Sequence, residues 1–331
     1  MVPGKILFIC GSMNQTTMMH QISKFFPDYE CCFSPYYGDG YLDFLSRKGV
    51  LNFSVLGGQF KRRTENYLRE NNLEIDYKGE RNNYDLVYTC SDLITPKNIL
   101  DKKVILVQEG MTDPENLAYY LVKYLKLPRW AASTSVTGLS DAYQYFCVAS
   151  EGYKELFINK GVNPDKIRVT GIPNFDNAKQ HLHNDFPHKN YVLVATSDTR
   201  ETFRYENRKK FIEYAKEIAK GRQLIFKLHP NEIVERATKE INEYAPGALV
   251  YSTGNTDHMI ANCDVLITRF SSVVYMGIAL GKEVYSEFDL EELHRMTPIQ
   301  NNGASAGNIA QIGYELLETE HEKVLTYRKV I

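Results

Sequence analysis

The chain has 331 residues, 43% of them hydrophobic and 24% charged, so it is long enough for two ordinary domains that each bury a core. A formal net charge of -2 with no block of like charges gives no electrostatic basis for binding nucleic acid. Basic runs such as Lys61-Arg62-Arg63 and Arg208-Lys209-Lys210 are expected on solvated faces.

In chain order, residues 5–10 form an apolar run that ends in Gly11-Ser12 and precedes a helical stretch over 15–26, the pattern of a strand, a tight turn and a helix. The stretch 31–81 is tyrosine-rich and broken by glycines, and reads as mixed helix and loop. Further strands are predicted at 85–88, 104–107, 145–149 and 167–170, with helices at 114–125 and 151–160; Pro114 is a start signal for the former. The polar, irregular stretch 174–189 reads as an interdomain linker, dividing the chain into residues 1–183 and 184–331. Alternation then resumes, with strands at 191–195, 223–228, 248–251, 265–268 and 283–285 and helices at 205–220, 232–244, 256–262 and 273–280. Strict β/α alternation implies parallel, doubly wound sheets. Two such Rossmann-like domains in tandem, strand ends facing a shared cleft, constitute the α/β architecture known as GT-B.

Six cysteines occur without a CxxC pair, and Cys10, Cys90, Cys147 and Cys263 sit in or beside apolar runs, the pattern of reduced, buried thiols in a cytoplasmic protein. No apolar run approaches the ~20 residues of a membrane span, so any membrane contact is expected to be peripheral, at the inner face.

Chemistry in open α/β sheets sits at the carboxyl ends of strands, and three polar clusters occupy such positions. Gln108-Glu109-Gly110 ends the strand at 104–107; Glu109 is the right type for a general base, and Gly110 permits an unusual backbone angle. Lys227-Leu228-His229-Pro230 ends another strand just before a helix, with Pro230 locking the turn. His229 there can hydrogen-bond a phosphate or protonate it as it leaves, or serve as a structural histidine held by backbone. Ser271 and Ser272 before the helix at 273–280 suit either an anion or a helix cap, and Thr196-Ser197 repeat that signal. Gly11 and Ser12 are read as a turn lining the acceptor cleft, and Glu287 and Asp289 as contacts to a ribose diol or residues of a surface loop. No HExxH, GxSxG, P-loop or clustered metal-ligand pattern occurs.

These clusters resemble the motifs of bacterial sialyl-, polysialyl- and capsule Kdo transferases of GT-B fold: an acidic-acidic-Gly motif in the first domain, then His-Pro and paired serines in the second. Here they are Gln108-Glu109-Gly110, His229-Pro230 and Ser271-Ser272, with Gln108 in place of the first acid. The second half is also similar to the CDP-glycerol glycerophosphotransferase group of wall teichoic acid enzymes, in Gly171-Ile172-Pro173-Asn174-Phe175-Asp176, Lys227-Leu228-His229-Pro230-Asn231, Cys263-Asp264-Val265-Leu266-Ile267-Thr268-Arg269-Phe270-Ser271-Ser272 and Asp289-Leu290-Glu291-Glu292-Leu293. That group's Trp-His-Gly motif is missing. A weaker likeness, in Gly171-Ile172-Pro173 and Leu228-His229-Pro230-Asn231, joins the chain to non-hydrolysing UDP-GlcNAc 2-epimerases.

The resemblance implies a glycosyltransferase that moves a sugar from a CMP- or UDP-linked donor to a hydroxyl of a cell-surface glycan or glycolipid precursor, as in capsule or lipopolysaccharide synthesis. Glu109 is then the base. His229 with Ser271 and Ser272 holds the leaving phosphate, and inversion is the expected course. Neither metal nor cofactor is expected. The alternatives are an epimerase-like enzyme, a CDP-polyol phosphotransferase and a non-catalytic GT-B scaffold.

Overall fold

The computed structural model describes residues 4–35, 38, 40, 44, 48, 58–197, 199–201 and 205–328. The chain forms two compact units, residues 1–176 with 303–331 and residues 177–302.

The first unit holds a seven-stranded parallel sheet in the order β3-β2-β1-β4-β5-β6-β7. Its strands are β1 (Lys5–Ile9), β2 (Glu30–Ser34), β3 (Glu74–Ile75), β4 (Leu86–Thr89), β5 (Val104–Val107), β6 (Tyr145–Val148) and β7 (Ile167–Val169). The helices are α1 (Met13–Ser23), α2 (Gly58–Glu70), α3 (Leu117–Leu125) and α4 (Glu151–Lys160). A parallel sheet covered on both faces needs apolar side chains on both sides of each central strand. Accordingly every residue of β4 and β5 is buried, as are Ile6, Leu7, Phe8 and Ile9 of β1.

The strands β2 and β3, at the start of and within the stretch 31–81 that reads as helix and loop, are not evident from the sequence; the part between 36 and 57 lies largely outside the described residues. Helix α3 begins at Leu117 rather than 114, because the Asn116 side chain caps it by accepting from Tyr119 N at 3.0 Å, leaving Pro114 outside.

The second unit holds a five-stranded parallel sheet in the order β10-β9-β8-β11-β12. These are β8 (Val192–Ala195), β9 (Leu224–Lys227), β10 (Leu249–Tyr251), β11 (Val265–Thr268) and β12 (Glu283–Tyr285), with helices α5 (Arg208–Ala219), α6 (Val234–Tyr244), α7 (Thr256–Asn262), α8 (Val273–Ala279) and α9 (Leu290–Met296). Alternate residues of the strands face opposite layers. Val192, Val194, Phe226, Val265 and Ile267 pack with Ile212, Ala215, Ala237 and Ile241 of α5 and α6. Leu193, Ile225 and Leu266 pack with Met259 and Ile260 of α7 and Met276 of α8. This is a doubly wound sheet.

Two expectations about domain organisation differ from the structure. The stretch read as a linker is packed into the second unit, where Ala178 is buried against Tyr191 and Met259 and Phe186 lies on the same cluster, so the division falls at 176/177 rather than 183/184. The last helix, α10 (Ser305–Arg328), belongs to the first unit. Tyr314 stacks on Phe26 at 4.8 Å and the Tyr88 hydroxyl donates to Ile309 O at 3.2 Å, with Gly307 against Phe25 and Gly313 against Tyr88 where the helix comes close. Asp176 Oδ2 accepts from Ser305 N at 2.9 Å, tying the end of the first segment to the start of the last.

Candidate functional site

In the first sheet the strand order reverses between β1 and β4, which sets a crevice at their carboxyl ends. Ser12 follows β1 there and caps α1, its Oγ accepting from Gln15 N at 3.2 Å. The same Oγ donates to Glu109 Oε1 at 2.6 Å, and Gln15 Nε2 donates to Glu109 Oε2 at 2.6 Å. The Glu109 carboxylate is thus fixed by both oxygens against the first turn of α1, where the helix dipole favours negative charge. An ionised carboxylate offers about four acceptor sites, so two bonds orient it and leave lone pairs for an incoming proton.

The surroundings are built to hold this contact. Gly11 O accepts from Thr64 Oγ1 at 2.8 Å. Gln108, almost fully buried, donates to Gly110 O at 2.7 Å and accepts from Ala149 N at 2.9 Å, so it clamps the loop that carries Glu109. An ionised acid at 108 could not make the first of these bonds. Gly110 is not among the residues with positive φ and a Cβ would meet only Phe175 at 3.8 Å, so the unusual backbone angle expected there is absent. Asn174 Nδ2 donates to Asn14 O at 3.0 Å, docking the Gly171–Asp176 motif on α1. Two thiols lie nearby: burial pushes Cys10 up to about 12, while burial and then the charge of Glu109 push Cys90 well up, so both stay protonated. All six cysteines are free.

In the second sheet the reversal lies between β8 and β11. His229 N donates to Glu232 Oε2 at 2.9 Å, and His229 Nδ1 accepts from Asn231 N at 3.3 Å. That bond leaves the proton of the neutral ring on Nε2, the tautomer that can donate to an anion. Thr196 Oγ1 is buried, accepts from His229 N at 3.2 Å and donates to Glu232, so Thr196 positions the histidine turn instead of presenting a hydroxyl to a ligand. Ser197 Oγ lies 2.6 Å from Thr199 Oγ1. Ser271 Oγ accepts from Val273 N at 3.5 Å, and Ser272 makes no side-chain cap to α8, so capping accounts for little of this serine pair. Pro230 is exposed in the turn after β9.

A chain of ions, buried at Glu232, Arg208 and Glu206 and reaching the surface at Glu287, runs from the His229 turn. Arg208 Nη2 donates to Glu232 Oε1 at 2.6 Å and Arg208 Nε to Glu206; Arg269 lies 3.5 Å from Glu206 Oε2 and forms a two-pronged pair with Glu287. The side chains of Glu232, Glu206 and Arg208 are 0%, 1% and 4% exposed. Arg208 Nη1 and, at the end of β11, Thr268 Oγ1 are buried without a hydrogen-bond partner among the described residues. Arg208 is therefore not on a solvated face, although Lys209 and Lys210 are. Glu287 is engaged by Arg269, and Asp289 caps α9 by accepting from Glu292 N at 2.8 Å, which accounts for it without a ribose.

Within the first unit the structure joins Ser12 to Glu109, and within the second it joins Thr196 to the His229 turn. Gln15, Glu206, Glu232, Arg208 and Arg269 were assigned no site role from sequence. Gln15 carried one signal, the Ser-x-x-Gln capping box, in which its amide normally returns to the cap. Among the described residues no group of three or more His, Cys, Asp or Glu could hold a metal ion. A cavity of about 390 Å³ lined in part by Lys102, Gln144 and Lys166 lies at the amino ends of β5, β6 and β7, opposite Glu109.

No protein-family model matches the chain, and no curated protein is significantly similar to it in sequence. Solved structures do match it. UDP-GlcNAc 2-epimerase from Neisseria meningitidis, bound to UDP-GlcNAc, aligns with a TM-score of 0.58 at 14% identity, over 95% of this chain and 100% of that one. The fold is GT-B. The corresponding enzyme of Methanocaldococcus jannaschii, in complex with UDP-GlcNAc and UDP, gives 0.53 at 13% identity over 94% and 99%. A variant of the wall teichoic acid polymerase TagF soaked with CDPG gives 0.54 at 11% identity over 96% and 90%. At these identities the likeness is one of fold. Among the described residues no helix is long and apolar enough to cross a membrane.

Proposed function

We propose that this chain is a glycosyltransferase that moves a sugar from a nucleotide-sugar donor to a hydroxyl acceptor. The observation that carries the reading is the Glu109 carboxylate, held by Ser12 and Gln15 at a strand end and a helix start. In the step, the acceptor oxygen bonds to the anomeric carbon and its proton passes to Glu109. The bond from that carbon to the donor phosphate oxygen breaks, and its electron pair leaves with the nucleotide. Direct base action of this kind inverts the anomeric centre. The second unit takes the donor: His229 Nε2–H and the Ser271 and Ser272 hydroxyls meet the charge of the leaving phosphate, a type of stabilisation worth ~3 kcal/mol per donor group. A polar group at the end of β11 gives some support for a polar ligand there: the Thr268 hydroxyl has no hydrogen-bond partner among the described residues, and an unsatisfied buried polar group costs about 1–3 kcal/mol. The fold relatives bound to UDP-GlcNAc or soaked with CDPG add weight to a nucleotide-linked donor.

A 2-epimerase is the second reading, favoured by the full coverage of the Neisseria enzyme. One assay separates the two: nucleotide release from CMP- and UDP-sugars with and without a glycolipid acceptor extract. Release that requires acceptor and is lost in Glu109→Gln supports transfer. Conversion of UDP-GlcNAc without acceptor overturns it.

A further inference from the structure

Helix α3 packs one side into the first unit, where Tyr119 and Val122 are buried with Ala132 and Val136. Its other side is also apolar. Leu117, Tyr124 and Leu125 are 74%, 72% and 64% exposed, Tyr120 and Leu121 are exposed beside them, and the following turn adds Leu127 and Trp130, the latter 53% exposed. A helix apolar all round is ordinarily enclosed, and a cluster of large exposed apolar residues marks a surface that meets something. Tyr120 and Tyr124 stack parallel at 6.4 Å along it.

The segment that forms this face carries charges of one sign. From Asn116 to Ser140 the chain carries Lys123, Lys126 and Arg129 and no acid; Glu115 and Asp141 flank the segment, and Glu115 accepts from Tyr120. Lys123 Nζ donates to the Tyr119 hydroxyl and to Lys160 O, and Arg129 Nε to Asp92 O; none of the three cations pairs with a carboxylate among the described residues. Aliphatic side chains flanked by Tyr and Trp, with basic residues interleaved, match the layering of a bilayer interface, where aromatic rings sit at headgroup level and cations meet lipid phosphate.

We infer that the α3–Trp130 face binds the surface of an anionic lipid bilayer. A second copy of the chain is the less suitable occupant, because a two-fold contact would bring the same three cations against themselves. The face begins seven residues after Gly110; resting on the reading of Glu109 as base, it makes the acceptor a lipid-linked glycan or sugar presented at that surface.

Trp130 is the one tryptophan of the chain and reports on the face directly. The full chain is mixed with phosphatidylglycerol or with phosphatidylcholine vesicles, with no nucleotide sugar present, so the result is independent of any transfer reaction. Co-sedimentation with phosphatidylglycerol and a blue shift of Trp130 emission are expected, with partitioning weakened about fivefold per cation by charge removal and reduced by salt. The paired variant Tyr124→Glu with Leu125→Glu, at solvent-facing positions, should abolish both signals while circular dichroism stays unchanged. Lys126→Glu gives a second variant with no apolar loss and should weaken binding. Absence of the shift with phosphatidylglycerol, equal binding by the paired variant, or a wild-type dimer that this variant dissociates would overturn the inference.

Discussion

Replacing Glu232 with Gln tests how the His229 turn is held. Its side chain is fully buried between partners of two kinds: Oε1 faces Arg208 Nη2 at 2.6 Å, and Oε2 accepts from His229 N at 2.9 Å and from the Thr196 hydroxyl. An amide can satisfy only one side, so either its NH2 opposes the guanidinium or it opposes the His229 N–H. Removing one partner of a buried ion pair costs about 3–5 kcal/mol. Glu206 still neutralises Arg208, which sets the expectation at the lower end, ~3 kcal/mol. With two units the unfolding is not all-or-none, so the loss is read by hydrogen exchange at the amides of Thr196 and Leu228, which bond to Lys227 O and Tyr251 O. Protection there should fall about 10²-fold, with β4 and β5 unchanged. A paired Glu232→Met, Arg208→Met change removes both charges and should recover most of the protection. Exchange in Glu232→Gln within about threefold of wild type would refute the reasoning.

Glu109→Gln should lower acceptor-dependent turnover by about 10²–10⁴ with donor affinity unchanged, measured by steady-state kinetics and donor titration; a loss below about tenfold removes it as base. Gly313→Ala would drive a Cβ into the Tyr88 hydroxyl and should loosen α10 from the first unit, seen as faster exchange at residues 309–316; unchanged exchange would contradict the packing of that helix. Burial raises the Asp176 carboxyl above its ordinary 3.8, against the bond from Ser305 N. The folded state therefore holds this proton more tightly than the unfolded chain, and that contribution, complete below about 3.8, is lost as pH rises through the raised value. Asp176→Asn, which keeps an acceptor oxygen, should gain stability relative to wild type across that interval in urea melts; a gap that is constant or narrows would contradict the sign.

The central strands were legible because parallel strands covered on both faces must be unbroken apolar runs, as at Val104–Val107, Val192–Ala195 and Val265–Thr268. The outer strands β2 and β3 hid for the opposite reason: Glu30, Ser34 and Glu74 interrupt the apolar pattern, and β3 is two residues long. Helix α10 contacts the first unit through small residues, Gly307, Ala310 and Gly313, which carry no strong periodic signal. The position of Glu109 at a strand end was readable, but its partner Gln15 carries only the signature of a capping box, and only the fold brings residues 15 and 109 together. Arg208 sat in a basic run that composition assigns to solvent; only the tertiary path places it between Glu206 and Glu232. Thr196 shared the polar signature of a phosphate contact, and its hydroxyl is spent on the His229 turn.

The central claim, a donor nucleotide held through His229, is tested most directly by a thermal-shift panel of CMP, CDP, UMP, UDP, GDP and their sugars against wild type and His229→Ala, since a ligand that binds only the folded state raises its midpoint. The account predicts stabilisation by a CMP- or UDP-linked sugar that the substitution abolishes. No stabilisation by any nucleotide, or an equal shift in both proteins, would contradict it.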